Sequence, residues 1–339
     1  MFEPRFEMTP YLVNLLVQAA ELRGEIGRSV VDVPWLPVLQ LDTAARLSHS
    51  STAIEGNLLS LPDVEALARG ETLPGPARQS REVLNHLAAL RWIWKKDPAA
   101  PFREEDLLHL HRLLTAGLLR ENAVGRYKDV QNRVVDGRGV TVYTPPPPAK
   151  AGPLTRDLLL WIDRDAANLP PIVTAAAAHH ELASIHPFLD GNGRAARALE
   201  TWILYTRGFD THHLFALDEF FERDRPRYYE KINQARELDG VLTYWLEYVA
   251  EGLVETLKKT LDRIASLQTS SAKGGRILLT SRQEDVLRLL RNKGRAKSGD
   301  IEKALKISRA RIAVILAPLL KAGLVARSGA SRATTYHLK

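Results

Sequence analysis

The sequence predicts a mostly α protein with one small β-hairpin in its body and a separate basic module at its C-terminus. Three observations predict it. Apolar residues recur every three or four positions over most of the first 265 residues, the period of a helix face rather than of a strand. Within that stretch, paired β-branched runs around a glycine-rich turn occur in one place. Charge is divided unevenly: residues 276–339 hold 15 Lys and Arg against 4 Asp and Glu, a net of +11 in a chain of net +7, which leaves −4 for the first 275 residues.

Helical spacing covers Leu41 to Ile54, Leu61 to Ala68, Val83 to Trp94, Glu104 to Leu119, Leu154 to Ile162 and Val173 to Ile185, with a further helix from Ala195 to Arg207. The alanine tract Ala175 to Ala178 is a helix-packing surface. Val130 to Val135 and Val140 to Tyr143, joined by Asp136-Gly137-Arg138-Gly139, form the hairpin. Pro145 to Pro148 ends it, since four prolines admit neither helix nor ladder. The small polar residues and paired glycines of Ser266 to Gly275 make a linker.

Beyond the linker come three short helices and a β-pair. Ser281, Ser298 and Ser308 are read as caps before the apolar positions Val286 to Leu290, Ile301 to Leu305 and Ile312 to Leu320. Gly323 stops the third helix, and Leu324 to Arg327 and Thr334 to Leu338 are strands. This pattern resembles a winged helix-turn-helix. The expected organisation is a helical lobe over 1–100, a core over 101–265, a linker over 266–275 and the winged helix over 276–339.

Several classes are excluded or disfavoured. The chain of 339 residues has no cysteine, so neither a disulfide framework nor a cysteine zinc site is available, which fits a reducing compartment. Met1 to Arg5 lacks the basic-then-apolar order of an export signal, and the weakly polar stretch Leu169 to Ala178 is about half the length that crosses a bilayer. The expectation is a cytoplasmic protein without a membrane partner. His179-His180-Glu181 is not a zinc-protease helix, because its spacing needs histidine where Ser184 stands. With His212 and His213, these histidines read as structural.

The chemistry is concentrated in His186-Pro187-Phe188-Leu189-Asp190-Gly191-Asn192-Gly193-Arg194-Ala195-Ala196-Arg197, a loop that feeds a helix N-terminus. Such an end presents unpaired N–H groups and a positive dipole to an anion. Gly191 and Gly193 let the backbone turn toward a phosphate, and Asn192 adds a donor. Arg194 and Arg197, three apart, put two guanidinium groups on one face. Asp190 is placed to hold Mg2+, which takes one or two carboxylates plus phosphate oxygens. His186 can accept a proton from a hydroxyl near neutrality. Each residue singly reads as a cap, a turn or a surface charge; nine specified letters together arise by chance at a rate on the order of 10⁻⁹.

These residues match the motif of the Fic family, His-Pro-Phe-x-Asp-Gly-Asn-Gly-Arg-x-x-Arg, without departure, and the chain resembles that family. The resemblance implies a Fic-type helical core with a hairpin flap, and transfer of AMP from ATP to a Ser, Thr or Tyr hydroxyl of a protein or of the chain itself, with release of pyrophosphate. It makes His186 the base, Asp190 the Mg2+ ligand, Gly191 to Arg194 the phosphate cradle and Arg197 the γ-phosphate contact. Gly125-Arg126-Tyr127 and the segment from Gln131 to Tyr143 resemble the flap that docks the target protein, and Tyr229, after Tyr228, resembles the adenine wall.

Ser51-Thr52-Ala53-Ile54-Glu55-Gly56 ends a helical stretch, with Gly56 as its cap. It matches the family's inhibitory pattern, which implies that Glu55 pairs with Arg197 and denies it to ATP. In the winged helix, Arg309 and Arg311 are expected near a DNA major groove, with Arg327 and Arg332 on phosphates; another protein or a second copy of the chain are the alternative partners of this module. The expectation is a self-inhibited protein adenylyltransferase. Its rivals are removal of AMP by the same site and a nucleotide-sensing DNA-binding regulator.

Overall fold

The computed structural model describes residues 2–30, 36–74, 77–135, 138–271, 280–321, 324–329 and 334–338. The chain divides into two units, Met1–Leu261 and Asp262–Lys339. The first unit is helical: α1 (Pro10–Ser29), α2 (Leu36–Ile54), α3 (Leu61–Ala68), α4 (Ala77–Ile93), α5 (Glu104–Thr115), then strands β1 (Val134–Val135) and β2 (Thr141–Tyr143), α6 (Pro148–Asp163), α7 (Pro171–Ile185), α8 (Asn192–Leu204), α9 (Asp218–Arg223), α10 (Arg225–Glu237) and α11 (Thr243–Ser271), which runs on past the unit boundary.

Helices α7 and α8 are buried on nearly every face; α7 is apolar almost throughout, whereas α8 buries a polar stripe of Arg194, Arg197 and Glu200 as well. Ala175, Ala176, Ala177 and Ala178 are buried along α7, as the alanine tract implied, and their small side chains let neighbouring backbones approach. Trp245 of α11 packs against this surface and donates its indole N–H to the Ala176 carbonyl at 2.7 Å. A second apolar layer joins α2, α3 and α4 through Leu47, Val64, Leu67, Val83, Leu87 and Leu90. Ser48 lies 3.0 Å from His86 Nδ1, and Asn57 donates to the Gln79 carbonyl and to Glu82, so the end of α2 is fixed to α4.

The hairpin is shorter than its β-branched residues suggest. Among the described residues only Val134↔Tyr143 and Val135↔Thr141 are in register, with an irregularity between them. The residues before β1 are engaged elsewhere: Gln131 donates to the Asn132 and Pro145 carbonyls, and Asn132 donates to the Phe188 carbonyl at 2.8 Å. Turn residues 136 and 137 lie outside the described residues. The proline run does not exclude a helix, because Pro148 opens α6, where its missing N–H would have no helical partner anyway. The expected linker also begins later: α11 extends to Ser271, since adding a residue to a long existing helix is far easier than nucleating one. The rest of that segment, 272–275, lies outside the described residues.

The second unit is a winged helix: α12 (Ser281–Lys293), β3 (Arg295–Lys297), α13 (Ser298–Leu305), α14 (Arg309–Lys321), β4 (Val325–Ser328) and β5 (Thr335–Leu338), with sheet order β3-β5-β4. Val286, Leu290, Ile301, Ile312, Leu316 and Leu319 form its core. The sheet has a third strand, β3, paired as Arg295↔His337 and Lys297↔Thr335. Its Arg-Ala-Lys sequence carries no β-branched residue, so no propensity signal marked it. Thr280 rather than Ser281 caps α12, in a capping box with Gln283, and Ser298 is the first residue of α13 rather than its cap. Gly323 and Arg332 lie outside the described residues.

Gly252 in α11 faces Phe220 of α9, and a Cβ there would run into the ring. Glycine to alanine inside a helix ordinarily stabilises by about 1 kcal/mol. Gly252→Ala is instead expected to destabilise by about 1–3 kcal/mol through overpacking, read as a lower urea midpoint. A raised midpoint would disprove the close approach of α9 to α11.

Candidate functional site

The motif starts where α7 ends. His186 caps that helix in the left-handed region, at φ 49° and ψ 56°, which a non-glycine residue occupies at a cost in strain. Its Nδ1 lies 3.2 Å from the Ala183 carbonyl oxygen. A carbonyl only accepts, so Nδ1 carries the hydrogen and Nε2 keeps its lone pair. Burial pushes the imidazole down to about 4, against the opposing hydrogen bond to Ala183 and with the help of Lys128 and Arg236. The ring is therefore neutral at physiological pH, the form a base needs.

The loop is braced from three sides. Phe188 is fully buried and stacks on His111 of α5, with ring centroids 3.8 Å apart. Gly125 donates its N–H to His111 Nδ1 at 3.0 Å, so His111 Nε2 donates to the Asp190 carbonyl at 2.9 Å. Asn132 donates to the Phe188 carbonyl, and the Lys128 N–H donates to the Pro187 carbonyl at 2.9 Å. The side chain of Asn192, expected to face a phosphate, is buried: it accepts from the Phe188 N–H at 2.8 Å and donates to the Phe188 carbonyl at 2.9 Å. A five-residue turn needs both its backbone groups paired, and the amide supplies both.

Gly191 precedes α8 in the left-handed region, and a Cβ there would lie 2.9 Å from the Thr115 methyl. The first helical bond runs from the Ala195 N–H to the Gly191 carbonyl, so the N–H groups of Asn192, Gly193 and Arg194 have no acceptor within the helix. A Cβ on Gly193 would collide with the Glu55 carboxylate. Arg194 is buried, and its Nε and Nη1 have no hydrogen-bond partner. Its Nη2 stands 3.8 Å from Asp190, whose side chain is half exposed and accepts from the Gly191 N–H. Asp190 offers one half-exposed carboxylate beside the loop, the donor that would hold Mg2+ together with phosphate and water; among the described residues no group of three His, Cys, Asp or Glu side chains could hold a metal ion.

Arg197 is 1% exposed and its guanidinium is surrounded. Nε donates to Ser51 Oγ at 3.0 Å, Nη2 donates to the Ser51 carbonyl at 2.9 Å and to Glu55 Oε1 at 2.8 Å, and Nη1 donates to the Tyr228 hydroxyl at 3.3 Å. Asp218 of α9 adds a carboxylate 3.6 Å from Nε. Burial opposes ionisation of Glu55, but Arg197 outweighs it and holds the carboxyl below the usual range. Glu55 thus joins the arginine from the turn after α2, where Gly56 takes φ +95°. Tyr229 donates its hydroxyl to the Ile54 carbonyl at 3.3 Å and anchors that turn to α10.

A cavity of about 600 Å³ brings Glu55, His186, Gly193, Arg197, Tyr229 and the strand residue Val142 onto one wall system. Tyr143 of β2 donates its hydroxyl to the Ser184 carbonyl at 2.9 Å, and Arg236 stacks 4.1 Å above its ring, so the hairpin is latched over the cavity. Sequence reasoning missed His111, Asp218 and Arg236. His111 had a signal: it shares the apolar stripe of Leu107, Leu110 and Leu114 on α5, where a buried imidazole needs partners. Asp218 and Arg236 had none.

The profile of the Fic/DOC family matches residues 101–204, and that of the MarR family matches residues 279–330. The chain carries a Fic domain. It is 30% identical over 70% of its length to the protein adenylyltransferase fic-1 of Caenorhabditis elegans, covering 45% of that protein. It is 31% identical over 66% of its length to the protein adenylyltransferase Fic of Nematostella vectensis, covering 50%. The chain thus spans about half the length of these curated relatives. A crystal structure of a Fic family protein from Desulfovibrio desulfuricans G20 superposes with a TM-score of 0.70 at 26% identity, over 100% of this chain and 98% of that one. A structure of Fic-1 from C. elegans superposes with a TM-score of 0.63 at 26% identity, over 75% of this chain and 73% of that one. No helix among the described residues is long and apolar enough to cross a membrane.

The uncharged state of the half-buried His186 in this Fic domain can be read directly. The imidazole resonance that disappears in His186→Ala is expected to stay neutral as pH falls through 6.5 and to titrate near 4. Titration at 6.5 would mean that the ring is solvated.

Proposed function

We propose that this chain is a protein adenylyltransferase held inactive by Glu55. The observation that carries the reading is the pair of buried arginines beside the α8 N-terminus: Arg194 has unpartnered N–H donors, and Arg197 is held by a carboxylate that reaches in from outside the motif. A buried cation without its anion is costly, so both guanidinium groups call for negative charge. A nucleoside triphosphate laid across the free N–H groups of residues 192–194 supplies it. The names of the relatives support ATP as the nucleotide and a protein as the acceptor.

In this reading a protein hydroxyl, presented along the latched hairpin, approaches His186 Nε2. The base takes its proton as the oxygen bonds to the α-phosphorus, the bond between that phosphorus and the bridging oxygen breaks, and pyrophosphate leaves. Arg194 and the loop N–H groups balance the charge that develops on the phosphates. Asp190 would hold Mg2+, which would neutralise phosphate charge and orient the leaving group. Tyr229 flanks the space for the base. With Glu55 on Arg197, the terminal phosphate loses its cation and nucleotide cannot sit productively.

Transfer of label from α-labelled ATP tests this. Glu55→Gly is expected to label protein about tenfold or more above wild type, the effect of removing a competitor worth about 1.4 kcal/mol. His186→Ala should lower that labelling by about 10²–10⁴-fold, the usual contribution of a positioned base. Absence of label in Glu55→Gly, with release of AMP from a pre-modified protein instead, would turn the reading to AMP removal.

The winged helix is proposed to contact DNA through its phosphates. Arg309 is exposed at the start of α14, as are Lys297 and Lys303 nearby, while Arg311 is half-buried. Among the described side chains, the rest of the exposed face of α14 is Ala310, Ala313, Val314 and Ala317, which offer no donors to base edges. Binding should therefore depend steeply on salt and little on sequence. Arg309→Ala is expected to weaken all duplexes alike and to reduce the slope of log affinity against log salt by about 1. A strong preference for one duplex would sink this description, and no binding at low salt would remove DNA as a partner.

A further inference from the structure

Arg197 must keep its place while it exchanges one anionic partner for another, and the surroundings of its guanidinium are not equivalent. Ser51 and Glu55 both come from the α2 end, so whatever moves Glu55 aside also disturbs the contacts to Nη2 and Nε. What remains is Asp218, 3.6 Å from Nε, and Tyr228, 3.3 Å from Nη1. Asp218 alone would draw the freed guanidinium toward itself and away from the cavity. Something has to oppose that pull.

We propose that Tyr228, His179 and Glu200 form a buried positioning relay that anchors the Nη1 edge of Arg197, so that only the Nη2 edge changes hands between Glu55 and the terminal phosphate of a nucleoside triphosphate. The inference rests on the adenylyltransferase reading and adds to it three residues outside the phosphate loop, on three different helices.

The chain of donors runs one way. Arginine only donates, so the Tyr228 oxygen accepts from Nη1 and its O–H is free to donate onward. It donates to His179 Nε2 at 3.0 Å. His179, accepting at Nε2, carries its hydrogen on Nδ1 and donates it to Glu200 Oε2 at 2.9 Å. All four side chains are within 1% of full burial. Burial keeps His179 uncharged, down to about 3, so it can accept at one nitrogen and donate at the other. The relay links α8 through α10 and α7 back to α8, three residues after Arg197. Aromatic packing fixes it: the His179 ring meets Trp245 edge-on at 5.1 Å, and Tyr228 lies 4.9 Å from Phe221.

The test compares ATP with ADP, because Arg197 is assigned to the phosphate that only ATP has. Calorimetry on the full chain in the Glu55→Gly background, with Mg2+, is expected to show ATP bound about tenfold more tightly than ADP, the size of a charge-assisted contact. Tyr228→Phe keeps the ring and removes the hydroxyl. Added to Glu55→Gly, it should bring the two nucleotides to within about twofold of each other, by weakening ATP while leaving ADP unchanged. Glu200→Leu should do the same, and Glu200→Gln, which can still accept from His179, should retain the preference. Thermal unfolding checks that each variant is folded; if Tyr228→Phe is not, the Glu200 pair decides. A folded Tyr228→Phe, or failing that Glu200→Leu, that keeps the ATP preference of its parent would overturn the relay while leaving the adenylyltransferase reading in place. A Glu55→Gly parent that neither prefers ATP nor transfers label would take down both.

Discussion

The site depends on one constraint: the charge of Arg197 cannot be left uncompensated at 1% exposure. A buried guanidinium stripped of partners costs several kcal/mol, and the fold around it supplies an acceptor to each of its three nitrogens. α2 brings Ser51 and Glu55, α9 brings Asp218, and α10 brings Tyr228. The packing of these helices is therefore tied to the electrostatics of the site. Glu55, one-third exposed and attached to a glycine turn, is the acceptor best placed to be exchanged.

A second constraint acts on the loop. Between the left-handed His186 and the left-handed Gly191 the backbone follows neither helix nor strand, so its polar groups need partners from elsewhere. Asn192 closes the loop on itself, Asn132 and Lys128 tie it to the segment before the hairpin, and His111 ties it to α5. With the loop fixed in this way, the N–H groups of Asn192, Gly193 and Arg194 at the start of α8 have no acceptor within the helix. The same bonds couple the segment before the hairpin to the motif, so the hairpin is held in register with His186.

Much of this was legible. The helices of the body follow the three-to-four residue period, and the nine-letter motif located the loop, its histidine and both arginines. The pattern from Ser51 to Gly56 pointed to a pairing of Glu55 with Arg197, and the structure brings the two to 2.8 Å. Where the reading went astray, the cause was a local rule overridden by context. Pro148 opens a helix because its position has no N–H to lose, and Asn192 turns inward because the Phe188 backbone needs pairing. β3 forms from a sequence with little strand propensity because β5 presents an unpaired edge to it.

What the sequence determines by itself is chemistry confined to a short stretch: which groups can accept a proton, hold a cation or cradle a phosphate within the twelve residues from His186. Tertiary structure alone decides which side chains those groups meet. Ser51 lies 146 residues from Arg197 along the chain and Tyr228 31, and no periodicity or spacing reports such a pairing. The reason is physical: secondary structure follows from local backbone preferences, whereas the partners of a buried charge are set by how whole helices pack around it.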